Sequence, residues 1–448
     1  MICSRCGTQS KEGFKFCQDC GAPLEKMAIF TVPGNNSVQK KSSFSKVVLI
    51  IAVLLMLAIG GYGAIRFFSN DSSALLPIKN AQGNWGYMNK DGKIVLSPRF
   101  AFAGRFTDGF AVVGTTGATS RIDWGLINDK GQYVINSEYR YVRPITEKLV
   151  AVAIAEEKSS VWGYMDTKGN FVIRPRFKDA YGFSDGLALV ALGKDKWGFV
   201  DSKGNFVIEP NLSNRSVGVS VDGEQEPVSK FVEGLAPMAN EEGLWGYVDK
   251  KGAFVIQPQY LMASAYNEGL AAVAVGKNFS TARWGYIDKK GNMVIQPQFM
   301  HAKQFSEGKA LVAVSGTIAS NFYDRRWGVI DKTGKFIIQG NWTFYQITHN
   351  PNSGAARQSF FANGLLSVNS QTERKRTAQG GTWGFVNANG QVVVAQKYID
   401  VGQFQDGFAS VLLEDKSIGY VDTTGKLITP LWNSLSSSAE NESEKIKG

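Results

Sequence analysis

Beyond residue 20 this chain has no cysteine: it contains only Cys3, Cys6, Cys17 and Cys20, so the following 428 residues can form no disulfide. Whatever folds there is held by packing and hydrogen bonds alone, whereas the clustered thiols suit a compartment where they stay reduced. Histidine is almost as scarce, with His301 and His349 the only two, and His301, beside Met300, is expected to be structural. No glycine-rich phosphate loop follows a strand-like run, and no serine or cysteine stands in a nucleophile phrase, so the expected function is not enzymatic. Long basic runs are missing too. The formal charge is +10, but residues 1–66 supply half of it, with 8 Lys and Arg against 3 Asp and Glu. The remaining residues are only mildly basic, and nucleic acid is not an expected partner.

What the chain has instead is glycine and aromatics: 49 Gly, 28 Phe, 15 Tyr and 10 Trp in 448 residues. Many tight turns between aromatic-rich strands point to an all-β protein.

The cysteines form two C-x-x-C-G phrases, Cys3-Ser4-Arg5-Cys6-Gly7 and Cys17-Gln18-Asp19-Cys20-Gly21. Four thiolates in two pairs suit tetrahedral Zn²⁺, because each two-residue spacer lets both sulfurs reach one metal and the following glycine permits the sharp turn. A segment this short needs such a staple to fold. Residues 1–24 thus resemble the zinc ribbons that open many bacterial membrane proteins. With four protein ligands and no open position, the expected zinc is structural.

Val47 to Ile65 runs 19 residues without a charge. At about 1.5 Å per residue that spans roughly the hydrocarbon thickness of a bilayer, so one transmembrane helix is expected over 47–65. Lys40, Lys41 and Lys46 before it, against Arg66 and Asp71 after it, place the N-terminus inside and the rest outside. Residues 25–46 read as a flexible linker and 433–448, rich in Ser, Glu and Lys, as a disordered tail.

Between them, over 74–432, the pair Trp-Gly opens the same phrase at Trp85, Trp124, Trp162, Trp197, Trp245, Trp284, Trp327 and Trp383, and Ile418-Gly419 opens a ninth. A recurring phrase of this kind marks a repeat array whose units bury their apolar faces against one another. Six residues after each repeat glycine comes a second one, and three before that stands Asp or Asn, as in Asp288-Lys289-Lys290-Gly291. This is the chemistry of a type I turn with a left-handed closing glycine, hence a β-hairpin in every unit. An apolar strand follows, and Pro98, Pro175, Pro210, Pro258, Pro297 and Pro430 are expected to end its ladder. An aromatic-x-acid-Gly step comes next, as in Phe183-Ser184-Asp185-Gly186, whose acid is expected to satisfy its own turn amides. A further strand completes three, with room for a fourth. Alternation in the Trp-Gly strand sets Trp284 and Tyr286 on one face and Ile287 on the other, so the sheets must stack. Stacking gives a ring-like, propeller-like array, favoured over an open β-solenoid.

These phrases resemble the bacterial WG-repeat family, defined by its Trp-Gly, Asp-x-x-Gly and Phe-x-Glu-Gly-Leu-Ala series. The departures are Ile418 for Trp, Lys148 for Gly after Glu147, and Asn363 for the acid. The resemblance implies no general enzymatic activity.

A tryptophan recurring at a fixed place in every unit is expected to pack between units rather than to bind sugars. Binding is sought instead in the connections preceding each Trp-Gly, which vary in length while the Asp-x-x-Gly turn does not. They carry Arg121, Lys158, Lys194, Lys196, Lys277 and Arg283, with Arg325, Arg326, Arg374, Lys375 and Arg376 as the candidate ligand-binding cluster. Arginine forks suit phosphate or carboxylate. The expectation is a single-pass membrane protein whose exported repeats bind an unknown protein or an anionic cell-envelope polymer, the alternative being a cell-wall polysaccharide-active enzyme.

Overall fold

Each Trp-Gly phrase folds as the central strand of an antiparallel sheet, and nine such sheets follow one another along the chain as a nine-bladed β-propeller ring. The structure is a computed structural model that describes residues 75–117, 121–155, 160–218, 228–315, 326–343, 360–370 and 382–432. Blades 1 to 9 span 76–100, 102–139, 141–177, 179–212, 235–260, 262–299, 301–343, 365–398 and 400–428. Blade 6 shows the pattern: Met262–Ala263, Ala271–Val275, Arg283–Ile287 and Met293–Phe299, paired in that order. Among the described residues, blades 1, 5 and 8 show no short first strand. The single helix among the described residues is one turn, Asn214–Val217, capped by Ser213. The chain separates into units 1–70 and 71–448, of which the first, with the expected zinc ribbon and membrane segment, lies outside the described residues, as does the tail 433–448.

The sequence repeat and the blade are out of phase. A Trp-Gly phrase begins in one blade, but after Phe100 a single residue, Ala101, carries the chain into the short strand Phe102–Ala103 of the next. Each repeat therefore ties two neighbours together covalently. Packing follows the same rule. Trp284 and Tyr286 join a buried cluster with Phe305, Val312 and Ile330 of blade 7, while Ile287 packs back among Tyr247 and Ile256 of blade 5. Burying each such aromatic contributes about 1.5–3 kcal/mol, so the ring's stability lies between its sheets.

The prolines do not end the ladder as expected. Pro98, Pro175, Pro210, Pro258 and Pro297 are each the fifth residue of a seven-residue strand. In blade 6, Trp284 pairs with Phe299 and Tyr286 with Ile295, so a bulge carrying Pro297 lies opposite Gly285. Proline is tolerated because a bulged residue owes the ladder no N–H. Only Pro430 follows its strand, Leu427–Ile428. The bulge also explains the repeat glycine: a Cβ on Gly285 would stand 2.5 Å from the Ile295 carbonyl oxygen and 2.8 Å from the Pro297 nitrogen.

The Asp-x-x-Gly turns form as read. Asp288 Oδ1 accepts from the amides of Lys290 and Asn292 at 2.8 and 2.9 Å, and Gly291 closes the turn at φ 85°. Donation from Asn170 and Asn292 holds the Asp166 and Asp288 carboxyls below the usual carboxylate range.

The acid-Gly steps are two-residue hairpins with both central residues left-handed, Glu268 at φ 54° and Gly269 at 83°. Lys148 takes the glycine's place in blade 3 at φ 64°. Rather than serving their own turns, the side chains at six of these steps reach the next blade. Glu147 accepts from Gly186 N, Asp185 from Gly234 N, Glu233 from Gly269 N, Glu268 from Gly308 N and Glu307 from Gly364 N, and Asn363 accepts from Gly407 N in the same way. The left-handed turn projects the side chain sideways, away from its own amides. Burial pushes the Glu233 and Glu268 carboxyls up, but the bonds from Lys289 and Gly269 and from Gly308 and Lys332 outweigh it, leaving both below the usual range.

Among the described residues the ring closes without a shared strand. Tyr87, Tyr164, Tyr247 and Tyr286 donate their hydroxyls to a backbone carbonyl of the next blade 17 residues on. Tyr420 of blade 9 donates instead to the Pro77 carbonyl of blade 1 at 2.8 Å. Arg105 of blade 2 reaches over to donate to the carbonyls of Gln403, Gln405 and Phe408 in blade 9. Leu76, Ile78, Met88 and Tyr420 form the core of this seam. Blades 1 and 5, in which the described residues form no short first strand, both place a proline, Pro77 and Pro237, at the register position opposite the Tyr of Trp-Gly-Tyr. A residue there would otherwise point an N–H out of an open sheet edge.

Candidate binding face

Strand direction separates two faces. The Asp-x-x-Gly and acid-Gly turns share one, as the Lys289–Glu233 and Lys332–Glu268 ion pairs at 2.9 and 3.1 Å require. The other face holds the connections of varying length and the Trp end of each central strand.

On that second face the first residue of a short strand lies beside the repeat tryptophans, Phe102 and His301 each between two consecutive ones. In blades 2 and 3 this residue is aromatic. Phe102 is 6.2 Å from the Trp85 ring and 5.1 Å from Trp124, and Tyr141 stacks on Trp162 at 6.0 Å. Phe102 is 39% exposed and Tyr141 46%. Gly114, between Phe102 and Trp124, lets them approach, since a Cβ there would crowd Ile122 and Phe102. Cations border the row: Lys79 over Trp85, Arg140 over Tyr141, and Arg143 over Trp162 and Tyr181 at 4.9 and 4.2 Å. The carboxylates beside it are engaged, Asp123 with Arg121 at 3.0 Å and Asp179 with Arg143 at 3.2 Å. Farther round, His301 takes the position and stacks on Trp284 at 5.0 Å, the structural place expected of it.

The tryptophans pack between blades as the sequence implies: Trp327 and Trp383 are fully buried, whereas Trp85, Trp124 and Trp245 keep an edge at the surface. Of the basic cluster, Arg326 is exposed and opens the strand Arg326–Asp331. Arg325, Arg374, Lys375 and Arg376 lie outside the described residues, as do Lys158, His349, Cys3, Cys6, Cys17 and Cys20. Among the described residues no cluster of side chains could hold a metal, and no helix is long and apolar enough to cross a membrane. Phe102, Tyr141, Arg140 and Arg143 were not singled out by the sequence reading. Their signal is variation: within an otherwise repeated phrase this position reads Phe102, Tyr141, Asp179, Met262, His301 and Asp400.

No curated protein matches this chain. Among solved structures it is similar to the β-propeller domain of the Trilobed protease from Pyrococcus furiosus, at 10% identity over 73% of this chain and 96% of that one, with a TM-score of 0.37. It is similar to an uncharacterized protein of Listeria monocytogenes at 10% identity over 80% and 96%, TM-score 0.36, and to the acylaminoacyl peptidase of Pyrococcus horikoshii at 9% over 73% and 51%, TM-score 0.36. The model of the WG containing repeat matches residues 85–115, 124–155, 162–194, 197–214, 245–279, 284–317, 327–355 and 383–416, each segment opening on a Trp-Gly pair. With more than half of its length so matched, the chain belongs to the WG-repeat family.

Proposed function

We propose that the propeller is a non-enzymatic binding domain that holds a cell-envelope ligand or a partner protein on its variable-loop face. The observation that carries this reading is the exposed aromatic row of blades 1 to 3 with cations along it. Aromatic faces hold sugars and cations hold acidic groups, and neither cleaves a bond. A polysaccharide-active enzyme needs a pair of carboxylates free to act, and the pairing of Asp123 and Asp179 with arginines favours binding. Arg326, exposed at the start of its Trp-Gly strand, adds a cation to this face, and Arg325, Arg374, Lys375 and Arg376, grouped with it by the sequence reading, would add long-range attraction for an anionic polymer.

The test is an array of glycans and anionic polymers probed with the full chain. Retention without shortening of the polymer is expected, reduced by Phe102→Ala with Tyr141→Ala; a shortened polymer would make the protein an enzyme.

The domain is tethered, in this reading, by a transmembrane helix at 47–65 with a cytoplasmic zinc ribbon before it. One zinc per chain is expected, lost in Cys3→Ser or Cys17→Ser, and protease added to intact cells should remove the repeats and spare the N-terminus. Digestion of an N-terminal tag under those conditions would reverse the orientation.

A further inference from the structure

At the eight seams joining consecutive blades the chain itself passes from one to the next. Between blades 9 and 1, among the described residues, no strand is shared and the join is made by hydrogen bonds and apolar contacts, and there a cavity of about 890 Å³ remains. Lys79, Gln82 and Ser97 of blade 1 line it, with Lys416 and Ser417 of blade 9 and Trp432 beyond. The open sheet edge beside it does not invite a further strand, because Pro77 offers no N–H and its carbonyl is taken by Tyr420. Its chemistry is that of side chains.

We infer that this cavity is the subsite for the acid-bearing terminal sugar of a glycan whose following units lie along Trp85, Phe102, Trp124 and Tyr141; the inference rests on the binding face proposed above. Trp432, 39% exposed, offers a flat apolar surface for the C–H face of a sugar ring. Two serine hydroxyls and the Gln82 amide can bond to sugar hydroxyls. The Lys79 and Lys416 ammonium groups select a carboxylate. The cavity's one acid, Asp415, is already engaged, its Oδ1 accepting from Ser417 N and Oγ at 2.9 and 2.6 Å, so the lining keeps a positive balance. Lys79 also lies 5.5 Å over Trp85, the first ring of the row, so cavity and row adjoin. The cavity, partly open, stands at one end of the aromatic track, the place where the end of a bound chain would seat.

The probes are tetragalacturonate, its methyl ester, and long polygalacturonate, titrated against the full chain. Methyl esterification is expected to weaken binding about tenfold, and so is either Trp432→Ala or Lys416→Gln, surface changes that leave thermal stability in place. The polymer should bind with the same affinity per chain as the tetramer. Affinity unchanged in both variants but lost in Phe102→Ala with Tyr141→Ala would overturn the seam subsite and leave the binding face standing. Affinity of the polymer that rises with its length would overturn end recognition. Retention of no glycan by the wild type would take the wider reading down with it.

Discussion

Gly285→Ala is expected to destabilise the repeat domain by about 3 kcal/mol, at the upper end of what one added carbon costs in a packed interior. The new Cβ would meet backbone on the bulged strand, the Ile295 carbonyl oxygen at 2.5 Å and the Pro297 nitrogen at 2.8 Å, and backbone cannot rotate aside as a side chain does. Gly269→Ala is the control. That glycine adopts φ 83° with nothing within 4 Å of its missing Cβ, so only left-handed strain remains, about 1 kcal/mol. Gly419→Ala, in the copy that has isoleucine for tryptophan, should also be mild, because its nearest neighbours are the Leu427 side chain at 3.1 Å and the Ile428 oxygen at 3.3 Å. Urea unfolding followed by tryptophan fluorescence gives the three values. Equal losses at Gly285 and Gly269 would mean that the repeat glycine is kept for its backbone freedom and not for the bulge.

Replacing Arg105 by Gln should cost about 2 kcal/mol, the scale of hydrogen bonds from one charged donor, and should act on the closure of the ring rather than on any one sheet. The guanidinium donates to three carbonyls of blade 9 and lies 5.7 Å over the Tyr420 ring. Burial pulls its pKa down, the Tyr420 and Asp406 charges acting against that. Because no strand is shared across the seam, these bonds, Tyr420 to Pro77, Leu431 N to Gly92 O at 2.8 Å, and the apolar contacts carry the closure. Hydrogen exchange should therefore rise first at Leu76–Lys79 and Phe408–Leu412 while blades 4 to 7 stay protected. A uniform rise over all nine blades would mean that the ring opens only when everything unfolds.

Local rules made much of this protein legible. Nine hairpins could be counted from Asp or Asn three before a glycine, because a type I turn with a left-handed closing residue needs nothing beyond its own four residues. The stacking of sheets followed from Trp284, Tyr286 and Ile287 alternating on one strand with both faces apolar. The prolines misled for a related reason. Read locally, Pro297 ends a ladder, but the partner strand carries Gly285 at that point and leaves room for a bulge, so pairing resumes at Phe299.

The amino-acid sequence alone determined the class of fold, the number of units, the turns, and the packing role of the tryptophans, since each depends on residues within a few positions of one another. Only the tertiary structure decided where the acids of Glu147, Asp185, Glu233, Glu268 and Glu307 go, that the repeat straddles two blades, and that blade 9 meets blade 1. Those contacts join residues from 36 to 343 positions apart, and which partner a side chain finds at that separation is set by the curvature of the whole ring. The same holds for the binding face. Phe102 and Tyr141 are ordinary aromatics in the sequence, and become an exposed row only because ring packing sets each beside a tryptophan and leaves its outer side to solvent.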